Sequence, residues 1–130
     1  MPAKKNAPTS ALILARPGRL RDSLGALLTS MPQIQRVNSA EIDNKALELF
    51  TDPPPNLIVI DTNLMPNRLS STLEQIKARW PQARYVILVD DVRQQQIAKA
   101  AGADSALLKG FPTAQLFATI ERLLQLRPAK

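Results

Sequence analysis

Three short apolar runs constrain this chain more than anything else in it: residues 11–15 (ALILA), 57–60 (LIVI) and 85–89 (YVILV). Each is shorter than an ordinary helix and apolar at consecutive positions. A strand with that pattern must be dry on both faces, which is the mark of a central strand in a parallel sheet. Between the runs lie stretches with helical spacing. Leu20, Leu24, Leu27, Leu28 and Met31 follow the first run, and Leu73, Ile76, Lys77 and Trp80 follow the second. Leu116, Phe117, Ile120, Leu123 and Leu124 form one face of a last helix. Residues 35–38 and 106–108 add two shorter strand candidates. The order is strand then helix, five times over. That predicts an α/β fold, a doubly wound five-stranded parallel sheet with right-handed crossovers.

The punctuation agrees with this order. Asn38 with Glu41, and Ser71 with Glu74, have capping-box spacing. Asp91 and Thr113 are candidate caps for the helices that follow them. Pro53, Pro54 and Pro55 stop the helix predicted over Ile42, Ala46, Leu49 and Phe50, and Pro81 closes the one ending near Trp80. The chain has 130 residues, enough for one core. Residues 1–10 are expected to be a flexible tail, 11–126 the domain, and 127–130 a C-terminal tail.

Composition removes whole classes of function. With no cysteine and no histidine, disulfides, thiol chemistry, Cys/His zinc sites and a Ser-His-Asp triad are excluded. No apolar run approaches the ~20 residues that span a bilayer. The polar start lacks the apolar segment of a secretory signal, so a cytoplasmic protein with no membrane contact is expected. Seventeen Lys and Arg against eleven Asp and Glu give a net charge of +6, which can attract nucleic acid or an acidic partner. The basic residues are scattered from Arg16 through Arg84 to Arg127, and aromatic residues are few. A solvated basic surface is the simpler reading, and a nucleic-acid-binding domain is the less favoured one. No general base with a plausible partner stands out, so an independent enzyme is not expected.

In open parallel sheets, ligand chemistry gathers outside the carboxyl ends of the strands. That rule selects residues 15–18, 61–66, 89–91 and 109–112. Asp61 directly follows the LIVI run, where a carboxylate can serve as nucleophile or metal ligand, or can simply cap a turn. Lys109 follows the last strand and either reaches into the same crevice or sits in solvent. Asp90 and Asp91 can form a metal-binding pair, although helix capping explains them more cheaply.

Taken together, Asp61 after its strand, then Met65 and Pro66, then residues 101–112 (AGADSALLKGFP) resemble the receiver domain of bacterial response regulators in two-component systems. Residues 16–32 (RPGRLRDSLGALLTSMP) and 73–89 (LEQIKARWPQARYVILV) are similar to the subfamily whose members carry a helix-turn-helix output domain. The resemblance covers residues 11–125. It implies the flavodoxin-like (βα)5 receiver fold, with Asp61 as phosphoacceptor from a histidine kinase, Lys109 as the active-site lysine, and a requirement for Mg²⁺. Several positions depart from the pattern. The acidic pair that holds Mg²⁺ is replaced by Ala15 and Arg16. The Ser or Thr that bonds the phosphoryl group is Val89, and the aromatic switch residue is Ala106. The loop after Asp61 is one residue longer than usual.

These departures lead to the expectation of a degenerate receiver, a pseudo-receiver that signals through protein contact and binds Mg²⁺ weakly or not at all. Asp90 is a possible substitute carboxylate. A receiver still phosphorylated on Asp61 is the alternative. Arg16 is expected to take the metal's place and, with Lys109, to clamp Asp61. The protein partner is expected to be a histidine kinase or another regulator. A homodimer face is expected on the helix over 92–101, the strand 106–108 and the last helix, where Ala98, Ala100, Ala101 and Ala106 would permit close approach.

Overall fold

The computed structural model describes residues 9–41, 54–64 and 68–125. Its elements run β1 (Ser10–Leu14), α1 (Arg19–Thr29), β2 (Arg36–Ala40), β3 (Leu57–Asp61), a 3-10 turn (Thr62–Leu64), α2 (Leu69–Arg79), β4 (Arg84–Val89), α3 (Val92–Ala100), β5 (Ser105–Leu108) and α4 (Thr113–Gln125). All five strands are parallel, in the order β2-β1-β3-β4-β5. The order reverses between β1 and β3, so a crevice opens at the carboxyl ends of those two strands. Among the described residues no helix is long and apolar enough to cross a membrane.

The unbroken apolar runs conceal a period of two that the layers reveal. Ala11, Ile13, Leu57, Val59, Val86 and Leu88 pack with Leu24 and Leu28 of α1 and Leu116, Ile120 and Leu123 of α4. Leu12, Leu14, Ile58, Ile60, Tyr85, Ile87 and Val89 pack on the other face with Leu69, Leu73 and Ile76 of α2 and Ala98 of α3. Alternate residues serve opposite layers, so every position of β1 and β3 is buried. Burying one such Leu or Ile side chain is worth roughly 1.5–3 kcal/mol.

Several local expectations shift for identifiable reasons. Asn38 lies inside β2, opposite Leu12, where the chain is extended. The helix predicted over 42–50 lies outside the described residues, as do Met65, Pro66, residues 1–8 and residues 126–130. Helix α2 starts at Leu69, not after Ser71, because Leu69, Leu73 and Ile76 form one buried stripe. Its N-cap is Arg68 with no side-chain cap, and the Ser71 hydroxyl turns back to the Arg68 carbonyl at 3.3 Å. Thr113 is the first residue of α4, where Leu116 N–H returns to the Pro112 carbonyl at 3.4 Å. Asp91 does cap its helix, accepting from the Gln94 N–H at 2.8 Å. Strand β1 begins at Ser10, one residue before the expected domain start.

The alanines expected to line a docking face are mostly interior. Ala98 and Ala106 are buried and belong to the α2–α3 side of the core. Ala101 is half-buried against it, and only Ala100 of the four is exposed. Their small size serves helix-on-sheet packing, not an open surface. Among the described residues, the exposed large apolar side chains are Val92 and Leu108.

Candidate functional site

Three loops converge at the carboxyl ends of β3, β4 and β5. Asp61 ends β3 in register with Leu88 of β4 and is 5% exposed. The turn behind it folds back on its carboxylate, with Asn63 N–H donating to Asp61 Oδ1 at 3.0 Å. Lys109 follows β5, and its main-chain N–H is fixed to the Val89 carbonyl at 2.8 Å. Gly110 next to it has φ of +93°, a conformation that favours glycine and turns the chain towards α4. The Lys109 ammonium thereby reaches inward to 2.6 Å from Asp61 Oδ1 and 3.0 Å from Asp90 Oδ1. The buried Nζ is thus enclosed between two carboxylates. Burial works to lower the Lys109 pKa, but the Asp61 and Asp90 carboxylates outweigh it and hold the ammonium above the ordinary lysine value.

A second ring of contacts supports this trio. Thr62 is buried, and its hydroxyl donates to Gln94 Oε1 at 3.1 Å. The same oxygen accepts the Asp90 N–H at 2.8 Å. Gln95 Nε2 donates to the Ala106 carbonyl at 2.8 Å, which ties α3 to β5. Sequence reasoning missed Thr62, Gln94 and Gln95. The one signal for Thr62 is its place directly after Asp61. The glutamines act through where their amides turn, and packing alone decides that.

The β1 side of the crevice contributes no carboxylate. Ala15 is buried with its N–H on the Ala40 carbonyl at 3.0 Å, and Arg16 is exposed. Among the described residues the ion pairs of Asp61 and Asp90 are with Lys109, and Arg16 makes none. Of the expected clamp on Asp61, Lys109 is in place and Arg16 is not; Asp90 joins the lysine instead. Arg16 stays exposed, and the two carboxylates within the crevice are already paired with the Lys109 ammonium. Val89 is fully buried in the α2–α3 layer, beside Ala106. No group of three Asp or Glu side chains comes together as a metal-ligand set among the described residues.

This architecture is the fold of response-regulator receiver domains. No protein-family model and no curated protein matches the sequence. Among solved structures, the chain is similar to a putative response regulator from Chloroflexus aurantiacus, with 18% identity over 92% of this chain and 100% of that one, at a TM-score of 0.78. The N-terminal signal receiver domain of a two-component response regulator from Bacteroides fragilis matches at 15% identity, 93% and 100% coverage, and a TM-score of 0.79. A CheY-like protein (tadZ) from Pseudomonas aeruginosa matches at 22% identity, 88% and 98% coverage, and a TM-score of 0.71.

Proposed function

We propose that this chain is a cytoplasmic pseudo-receiver, a signalling domain of the two-component type that works through protein contact without a phosphoryl switch. The observation that carries the reading is the state of Asp61. Its carboxylate is held by Lys109 at 2.6 Å, and the residues that follow β1 are a buried Ala15 and an exposed Arg16, neither of which carries a carboxylate. Phosphoryl transfer to a carboxylate concentrates negative charge that a cation must offset. Mg²⁺ requires near-octahedral oxygen ligands and usually takes one or two carboxylates together with waters. The donors here fit that ion poorly, because the ammonium of Lys109 stands between the two carboxylates that could serve it. At the switch positions, Val89 has no hydroxyl to donate, and Ala106 has no ring to move.

The partner is a signalling protein, a histidine kinase or another regulator, or a second copy of the chain. Val92 and Leu108, the exposed large apolar residues beside α3 and β5, support contact there. A specific interface needs about 1,000 Å² in total. The test is light scattering and elution of the purified protein, with and without Mg²⁺ and beryllofluoride. Unchanged mass and elution are expected. A shift that Asp61→Asn abolishes would favour the alternative, a receiver phosphorylated on Asp61, for which the burial of Asp61 beside Lys109 speaks.

A further inference from the structure

The two carboxylates on Lys109 are unequal. Asp61 is enclosed at the end of its strand, whereas the Asp90 side chain is 48% exposed and approaches from the β4–α3 loop. The backbone beneath Asp90 is nevertheless held firmly. Its N–H is bonded to Gln94 Oε1 at 2.8 Å, that oxygen also takes the Thr62 hydroxyl, and Asp91 beside it caps α3 through the Gln94 N–H. Asp90 is thus anchored with its carboxylate 3.0 Å from the ammonium. One positive and two negative groups leave the trio with a net charge of −1.

An anion that came to Asp61 would need a cation to meet it. The cation at hand is Lys109, and Asp90 already takes its second contact while adding a repelling charge. We propose that Asp90 is a built-in anion that decides what this site accepts. Its carboxylate fills the outward position on Lys109, keeps small oxyanions of the phosphate type out, and balances the lysine without any ligand. Replacing that one charge opens an oxyanion site on Lys109. The inference deepens the function proposed above and rests on its reading of Asp61 and Lys109 as the functional centre.

Inorganic phosphate is the probe, titrated into the whole chain while the NMR signals of Lys109 and Gly110 are followed. The parent protein should show no saturable shift at these residues. Asp90→Asn keeps the shape of the side chain and removes its charge. It should bind phosphate at least about tenfold more tightly than the parent, since a unit charge a few ångströms away is worth more than that in a partly buried site. Asp90→Asn combined with Lys109→Met should lose the binding. Gln94→Ala, which frees the Asp90 backbone, should give an intermediate affinity. The proposal is overturned if Asp90→Asn binds no better than the parent. It is also overturned if binding survives Lys109→Met, which would put the phosphate in the groove of about 530 Å³ lined by Arg68 and Arg93. Either result leaves the beryllofluoride test on the parent protein untouched, so failure of the Asp90 role and failure of the pseudo-receiver reading are separate outcomes.

Discussion

The two ends of β4 carry similar polar residues in opposite kinds of arrangement. At the amino end, Tyr85 N–H donates to Asp104 Oδ2 at 2.7 Å, and Asp104 N–H returns to the Tyr85 carbonyl at 2.9 Å. The buried Tyr85 hydroxyl lies 2.8 Å from the Trp80 carbonyl and 3.1 Å from that of Ile76, at the end of α2. Lys77 donates to the Gly102 carbonyl at 3.1 Å with its ammonium 4.9 Å over the Tyr85 ring. Most of these contacts end on a main-chain atom whose place secondary structure already sets. At the carboxyl end, Lys109, Asp61 and Asp90 hold one another side chain to side chain, from three separate loops, with unbalanced charge. Polar groups fastened to backbone act as structure. Charges fastened mainly to each other can change partners, and that is what a site requires.

The largest effect expected from breaking this contrast is at Lys109. Lys109→Met leaves Asp61 buried without its counter-charge and should cost about 3 kcal/mol in a denaturant melt, the low end for such a pair because the lysine side chain is 22% exposed. Adding Asp61→Asn should recover most of that loss. If the single and double variants melt alike, the trio is not a charge cluster and the contrast fails. The same variant has a signature in pH. The folded-state pKa of Lys109 is raised, so its contribution is fully present below the unfolded lysine value and is lost as pH rises through the folded one. Stability of the parent should fall above about pH 10.4, and Lys109→Met should flatten that fall.

A smaller effect is expected at the other end of β4. Tyr85→Phe removes the hydroxyl from its two carbonyls and keeps the ring, for a loss of about 1–2 kcal/mol by thermal melt. Burial, and then the Asp104 charge, push the Tyr85 phenol far above its ordinary range. It too favours the folded state at neutral pH and loses that advantage as pH rises past the unfolded tyrosine value. Tyr85→Phe should therefore also flatten the alkaline fall while leaving the NMR signals of Lys109 unmoved. Movement at Lys109 would mean that the two ends are coupled through β4.

The smallest effect is expected at Arg16. Being exposed and without an ion pair to Asp61, it should change stability by no more than about 0.5 kcal/mol when replaced by Ala. Arg16→Ala and Asp61→Asn should simply add. A coupling energy clearly above ~0.5 kcal/mol would place Arg16 on the carboxylate after all.

How much was legible follows from the range over which each residue acts. The strands at 57–61 and 84–89 were readable because continuous burial leaves a continuous apolar run, and Asp91 was readable because its bond spans three residues. Asp61 and Lys109 were readable as neighbours because a parallel sheet delivers successive strand ends to one edge. Ala98 and Ala106 were misread because a small residue looks the same in sequence whether it admits a partner or a helix of its own chain. Ser71 was misread because capping spacing was weighed without the buried stripe that starts at Leu69.

The sequence by itself determined the strand-and-helix order, the strand edge at which charge collects, and the absence of an acidic pair after the first strand. These are local facts, written in the residue types. The tertiary structure alone decided which cation meets Asp61. Arg16 follows β1, the direct neighbour of Asp61's strand, whereas Lys109 follows β5, one strand further away, and yet it is the lysine that reaches the carboxylate. The main-chain bond from Lys109 to Val89 and the positive φ of Gly110 aim the lysine inward. Gln94, by holding the Asp90 backbone, adds a second carboxylate to its far side. Contacts of this kind join residues from separate loops of the chain, and only the packed sheet brings them within 3.0 Å.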